Sequence, residues 1–232
     1  MIESINNEKI KRYAKLNLKK YRDLEGLFIV EGEHLVEEAK GVGILVDVFS
    51  LDGSIGTKVS EAVMRKLSSL NSLPKVLGIA KKLNDIKVSG NILVLDGIQD
   101  PGNLGTIIRS AVAFDIDTIV ASKDTVDVYN SKTLRSSEGM FFNINYIVAD
   151  LENILSDLDD YDIFTTNVSS GKSVSDVKSS KNYVLIMGNE GNGVREEISN
   201  FATDTIYIPM NKKCESLNVA IATSIILYEL SK

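Results

Sequence analysis

Cysteine and histidine are nearly absent from this 232-residue chain, which holds one of each, Cys214 and His34. A single cysteine excludes a disulfide within the chain and suits a reducing compartment. A lone histidine without a metal-ligand cluster argues against a metal site, so His34 reads as surface or satisfied structure on a helix. Cys214 has no partner base beside it and is a poor nucleophile candidate. No apolar run approaches the roughly 20 residues that a bilayer-spanning helix needs, and the charged start lacks the apolar core of a signal peptide. A soluble, cytoplasmic, metal-free protein is expected. An excess of positive charge is missing too. Lys and Arg number 26 against 32 Asp and Glu, giving a net charge of −6 and a pI near 5.0, the wrong sign for a chain that grips a polyanion over its whole surface.

What remains is 44% hydrophobic, enough for one large core or two small ones. Two domains are expected. The first, 1–83, alternates an Ile10 to Tyr21 helix, a Phe28 to Val30 strand, a His34 to Lys40 helix, a Leu45 to Phe49 strand, a Ser60 to Leu67 helix and a Val76 to Ala80 strand. That order predicts a layered α/β unit. Residues 84–90 are polar, include Gly90 and read as a linker. The second domain, 91–232, again alternates strand and helix, which predicts a mostly parallel sheet covered on both faces. Ser169 to Ser180 reads as a polar connection within it. Basic residues crowd the first helix, among them Lys11, Arg12, Lys15, Lys19 and Arg22. Such a stripe can meet phosphates while the rest of the chain stays acidic, although a charge run on a helix is often only a solvated face.

The most informative segment is LDGIQDPGNLGTIIR, Leu95 to Arg109. It follows the apolar strand Ile92 to Leu95, breaks at Pro101 and Gly102, and places Asn103 where an N-cap belongs. Leu104, Ile107, Ile108, Ala111 and Val112 repeat at helical spacing as a buried stripe. Arg109 falls off that stripe, on a flank shared with the small residues Gly105, Thr106 and Ala113. Two later segments repeat the strand-then-loop design: Tyr183 to Met187 runs into GNEGNG, and Ile206 to Pro209 runs into IPMNKKCESLNVA. Glycines directly after a strand let a ligand approach backbone N–H and C=O groups.

These three segments, in this order and spacing, resemble the signature motifs of the SpoU family of RNA ribose 2′-O-methyltransferases, a branch of the SPOUT superfamily. The resemblance runs from about Ile92 to Lys232. A second one covers NEKIKRYAKLNLKKYRDLEGLFIVEGEHLVEEA, which looks like the substrate-binding domain that precedes the catalytic domain in many members. The family implies a ribosomal-protein-like α/β domain that binds RNA, followed by a Rossmann-like parallel sheet. The periodicity by itself describes an ordinary unknotted sheet; the resemblance implies instead a deep trefoil knot that forms the cofactor pocket.

The implied cofactor is S-adenosylmethionine, with Gly188, Ile208 and Leu217 contacting adenosine and Met187, Met210 and Asn218 lining the same cleft. Taken as isolated residues, Ile208, Leu217 and Met187 read as core. Arg109 matches the family's catalytic arginine. An arginine is a fixed cation in water, which suits orienting phosphate and 2′-oxygen and stabilising developing charge better than accepting a proton. Asn103 and Glu190 match the residues that orient it, and Ser216 and Asn218 those that shape the pocket. Asn103 and Ser216 both also stand where helix N-caps belong. Arg135 and Ser136, in TLRSSEGMFFNI, are expected on the substrate surface, with Glu138 standing where many members carry a small or apolar residue. The last helix, Leu217 to Leu230, is apolar nearly all round, which suits burial in a knot or a subunit interface, and the family implies a homodimer whose active site draws on both subunits.

Ribosomal RNA is the expected substrate, with transfer RNA as the alternative. A non-catalytic RNA-binding or ribosome-assembly protein on the same fold is a second alternative, which Asn103, Arg109, Glu190 and Asn218 argue against. A dinucleotide-dependent oxidoreductase is a third. Against it, Gly188, Gly191 and Gly193 give G-x-x-G-x-G rather than G-x-G-x-x-G, late in the chain.

Overall fold

Strand and helix alternate along the chain in a computed structural model that describes residues 1–84, 86–178 and 182–232. Asp85, in the expected linker, and Ser179 and Ser180, at the end of the expected polar connection, lie outside the described residues. The order is α1 (Glu8–Ala14), α2 (Lys19–Glu25), β1 (Leu27–Glu31), α3 (Glu33–Gly41), β2 (Leu45–Ser50), β3 (Thr57–Lys58), α4 (Glu61–Leu67) and β4 (Val76–Lys81). It continues with β5 (Ile92–Asp96), α5 (Pro101–Ala113), β6 (Thr118–Ser122), α6 (Ser131–Ser136), β7 (Asn145–Ala149), α7 (Leu151–Leu155) and β8 (Asp162–Thr166). The chain ends through β9 (Lys172–Ser173), β10 (Tyr183–Gly188), α8 (Glu196–Ser199), β11 (Asp204–Tyr207) and α9 (Val219–Leu230). Among the described residues, no helix is long and apolar enough to cross a membrane.

The chain divides into two compact units, Met1–Asn84 with Asp127–Phe142, and Asp85–Val126 with Asn143–Lys232. The first break falls at the start of the expected linker. Residues 127–142, read from the sequence as part of the second domain, instead pack within the first unit.

In the first unit β4 runs antiparallel to both β1 and β2, and β2 pairs in parallel with β3, in the order β1-β4-β2-β3. One core gathers Ile10, Tyr13 and Leu16 with Val63, Met64 and Leu67 of α4 and with Ile29, Phe49 and Ile79 of the sheet. Helix α3 covers Gly78, where an added Cβ would lie 2.8 Å from Val30 Cγ2 and 2.9 Å from Leu45 Cδ2. The long basic helix expected over Ile10 to Tyr21 is broken in two. Leu18 is extended (φ −104°, ψ 130°), and the Asn17 amide donates to the carbonyls of Ala14 (3.3 Å) and Leu67 (3.0 Å), fixing a 3₁₀ turn between α1 and α2.

That break corrects part of the basic stripe. Arg22 is 6% exposed; its guanidinium donates to Asp127 and to the Leu16 carbonyl. It is a core ion pair and no RNA contact, because burial removes it from any phosphate. Arg135 likewise donates to Glu31 Oε2 at 3.0 Å, and Glu31 also accepts from the Ser69 N–H at 2.6 Å. Lys11, Arg12, Lys15 and Lys19 stay exposed, paired with Glu8, Glu25, the Tyr21 ring and Asp23. The excursion 127–142 is further held by Phe28, whose ring centroid lies 4.7 Å from Tyr129 and 6.4 Å from Phe142. His34 packs as satisfied surface structure, its Nε2 3.0 Å from the Glu138 carbonyl.

The second unit is a seven-stranded sheet in the order β7-β6-β5-β10-β8-β11-β9, and every pairing in it is parallel. Strand β7 went unread from the sequence. It is an edge strand that leaves Val148 54% exposed, so it lacks the continuous apolar run that marks β5, β6 and β10. Helices α7 and α8 bury Leu151, Leu155 and Ile198 against the row Ile92, Val94, Val184 and Ile186. Helices α5 and α9 pack together, joined by a 2.6 Å hydroxyl pair between Ser110 and Ser224. From β5 the chain steps outward to β6 and β7, then returns to place β10 on β5's other side. Such a reversal opens a crevice beyond the carboxyl ends of the strands.

Candidate active site

Helix α5 starts earlier than its sequence suggested. Asp100 is the N-cap, accepting from the Asn103 N–H at 2.9 Å, with Pro101 in the first turn where a missing N–H costs nothing. Asn103 therefore stands inside the first turn, its side chain free for other work. The same correction applies at the last helix, where Asn218 rather than Ser216 is the cap, accepting from Ala220 N–H (2.9 Å) and Ile221 N–H (3.3 Å).

These two asparagines and Glu190 form a directional chain. Because the Asn218 carbonyl oxygen is committed to the cap, its amide must donate, and it does so to Asn103 Oδ1 at 3.0 Å. Asn103 in turn donates to Glu190 Oε1 at 3.0 Å. Glu190 also accepts from the backbone N–H groups of Gln99 (3.2 Å) and Asp100 (3.3 Å). Partial burial opposes ionisation of Glu190, but these donors outweigh it and hold its carboxyl below the usual range. All three motif segments are thus tied through one amide.

The loop after β10 is shaped by its own residues. Asn189 accepts from the N–H groups of Gly191 (2.8 Å) and Asn192 (3.2 Å), an Asx turn, while its amide donates to the Gly97 carbonyl at 2.8 Å. A Cβ on Gly188 would lie 2.1 Å from the Gly193 carbonyl carbon. We expect Gly188→Ala to displace this loop at a cost of about 1–3 kcal/mol and to weaken S-adenosylhomocysteine binding at least tenfold by calorimetric titration; an unchanged affinity would separate the loop from the ligand.

Asp96, with its side chain 1% exposed, ends the apolar strand β5 and receives Arg195 through its N–H (2.9 Å) and Nε (2.8 Å). The sequence reading missed Asp96, Arg195, Asn189 and Gln99. A carboxylate closing a fully apolar strand and an asparagine two residues before a glycine were the available signals.

A cavity of about 730 Å³ opens between the loops that follow β8, β10 and β11. All six residues expected at the cofactor, Met187, Gly188, Ile208, Met210, Leu217 and Asn218, line it, as do Glu190 and Ser216. Asn103 reaches the site through Glu190 and Asn218 and is not in the lining. Arg109 does not join them. It is exposed, lies outside the lining, and its side chain makes no hydrogen bond or ion pair among the described residues, so Asn103 and Glu190 do not orient it within its own chain. Cys214 is exposed, with Sγ 3.3 Å from the Ser216 carbonyl. Among the described residues, no cluster of three or more His, Cys, Asp or Glu is placed to hold a metal.

Comparison with known proteins points the same way. Residues 7–78 match the MRM3-like substrate binding domain. A 23S rRNA (guanosine(2553)-2′-O)-methyltransferase of Bacillus subtilis is 33% identical over 99% of this chain and 98% of its own. An rRNA methyltransferase from Sinorhizobium meliloti, solved with AdoMet bound, superposes with a TM-score of 0.87 at 28% identity over 98% of this chain and 95% of that one. The AviRb methyltransferase of Streptomyces viridochromogenes, at 24% identity and a TM-score of 0.85, covering 97% of both chains, shares the fold. Residues 90–228 match the SpoU rRNA Methylase family, and with the Bacillus relative aligned nearly end to end, the chain belongs to that family.

Proposed function

We propose that the protein transfers a methyl group from S-adenosylmethionine to the 2′-hydroxyl of a ribose in ribosomal RNA. The observation that carries this is the convergence of all six expected cofactor residues on one cavity, with the Glu190–Asn103–Asn218 chain at its edge. The lining fits the cofactor. Met187, Ile208 and Leu217 offer the apolar surface an adenine needs, beside the glycine-rich loop that runs from Gly188 to Gly193. S-adenosylmethionine supplies an electrophilic methyl group held on a sulfonium.

The chain's own residues do the rest. Glu190, kept ionised, places negative charge at the cavity wall, attractive to a sulfonium. Asn103 and Asn218 fix that carboxylate and the start of α9. Arg109 orients the RNA and stabilises charge developing on the ribose oxygen. In this reading α9 threads a loop to form the trefoil knot, and a homodimer brings Arg109 to the partner's cavity. Exposed Ile221 (53%) and Tyr228 (50%) on α9 support such an interface. The first unit selects RNA through Lys11, Arg12, Lys15 and Lys19; the surface ion pairs of Lys11, Arg12 and Lys19 and the contact of Lys15 with the Tyr21 ring are weak enough to exchange for phosphate. The site of action is the cytoplasm.

Ribose-methylation mapping of total RNA from cells with and without the gene tests this directly. A 23S rRNA site lost on deletion and restored by the wild-type gene is expected. A lost site in transfer RNA would overturn the ribosomal assignment, and no lost site in either RNA would favour a binding role.

A further inference from the structure

Asp96 meets the loop after β10 twice. Its backbone stands opposite Gly188 in the parallel register of β5 and β10, where the loop leaves the sheet. Its carboxylate takes the loop's exit. Arg195 donates its backbone N–H to Oδ2 at 2.9 Å and its Nε to Oδ1 at 2.8 Å, with Nη2 2.6 Å from Oδ1. Entry and exit are thus fastened to one residue. Between them Asn189 and Gly193 exchange backbone hydrogen bonds at 3.0 and 2.9 Å, and the Asn189 amide reaches the carbonyl of Gly97, next to Asp96. Every residue from Gly188 to Val194 lines the cavity.

The carboxylate stands in a costly place. Ile92 to Leu95 before it are fully buried apolar residues, and the Asp96 side chain is itself 1% exposed. A charge buried there is unfavourable unless partners answer it. Arg195 answers from the solvent side, its side chain 46% exposed, so the tie is made at the rim of the unit rather than within its core. Its effect falls on the loop. A segment with glycine at 188, 191 and 193 would otherwise sample many backbone conformations. A ligand that had to select one of them would bind more weakly than one meeting a preformed wall.

We infer that Asp96 is a positioning residue for the cofactor, acting through Arg195 to hold the loop from Gly188 to Val194 in its binding shape. The inference rests on the proposed methyltransferase reading. Calorimetric titration of the full-length protein with S-adenosylhomocysteine tests it, with melting temperatures measured alongside. Asp96→Asn, which turns an amide donor toward the Arg195 donors, and Arg195→Met each weaken binding about tenfold. The double variant binds no more weakly than either single one, because all three break the same tie. Lowered melting temperatures with wild-type affinity in the folded variants would overturn the inference, since the pair would then serve stability alone. Losses that multiply to about a hundredfold in the double variant would mean two separate roles and overturn it as well. Should Asp96→Asn fold poorly, Arg195→Met, a change at the rim, decides between lost and retained affinity by itself. Failure of the wild-type protein to bind S-adenosylhomocysteine would instead sink the cofactor reading.

Discussion

Replacing Arg109 by alanine should slow methyl transfer about 10²–10³-fold while leaving S-adenosylhomocysteine binding and the melting temperature unchanged. The split follows from where the side chain stands. Arg109 is exposed, makes no side-chain bond among the described residues and does not line the cavity, so neither the fold nor the cofactor depends on it. In the proposed mechanism its contribution arises only when negative charge develops on the attacking ribose oxygen. Lysine should recover little, because a point charge does not reproduce the planar fork of donors. Single-turnover transfer to ribosomal RNA is the measurement. A rate within a few-fold of wild type would remove Arg109 from the chemistry, and an equal loss of cofactor binding would recast it as a structural residue.

The second large effect is on stability. Arg22→Ala should destabilise the first unit by about 3–5 kcal/mol, a large share of the roughly 5–15 kcal/mol that holds a folded protein together. In the Arg22–Asp127 pair the arginine side chain is buried at 7% exposure and the carboxylate largely so at 12%. Removing the guanidinium strands a carboxylate and leaves the Leu16 carbonyl without its donor. The double change Arg22→Met with Asp127→Leu should recover most of the loss, since it removes both charges together. Arg12→Ala, which breaks an exposed pair with Glu25, should cost less than about 1 kcal/mol. Urea unfolding of the four proteins decides the matter: similar midpoints for Arg22→Ala and Arg12→Ala would mean that the buried pair is no anchor.

These two arginines show what the sequence could and could not disclose. The exposed position of Arg109 was legible because it is local: the apolar stripe it avoids is written in the spacing of Leu104, Ile107, Ile108 and Ala111. Arg22 was illegible because its meaning lies 105 positions away, at Asp127. The same division runs through the site. The strands β5 and β10 and the loops after them could be read from continuous apolar runs followed by glycine, Gly97 after Asp96 in one and Gly188 in the other. The capping of α5 was misplaced by three residues because Asn103 looked like a cap, although Asp100 directly before Pro101 is the stronger pairing. No pattern along the chain could show that one asparagine amide joins Glu190 to Asn218, because that link exists only once three segments have met.

The excursion of residues 127–142 has a bearing on modularity. The first unit is assembled from two separate stretches of chain, so it is not a cassette that can be cut away at 84–90 and exchanged for another. A fragment ending at Asn84 would keep Arg22 and Phe28 but lose Asp127, Tyr129, Arg135 and Phe142, leaving a bare cation and an uncovered aromatic face. A fragment beginning after the linker would carry those partners with nothing to hold. Any redesign that aims the catalytic half at a new RNA would have to transplant both stretches together, and recombination between relatives faces the same constraint.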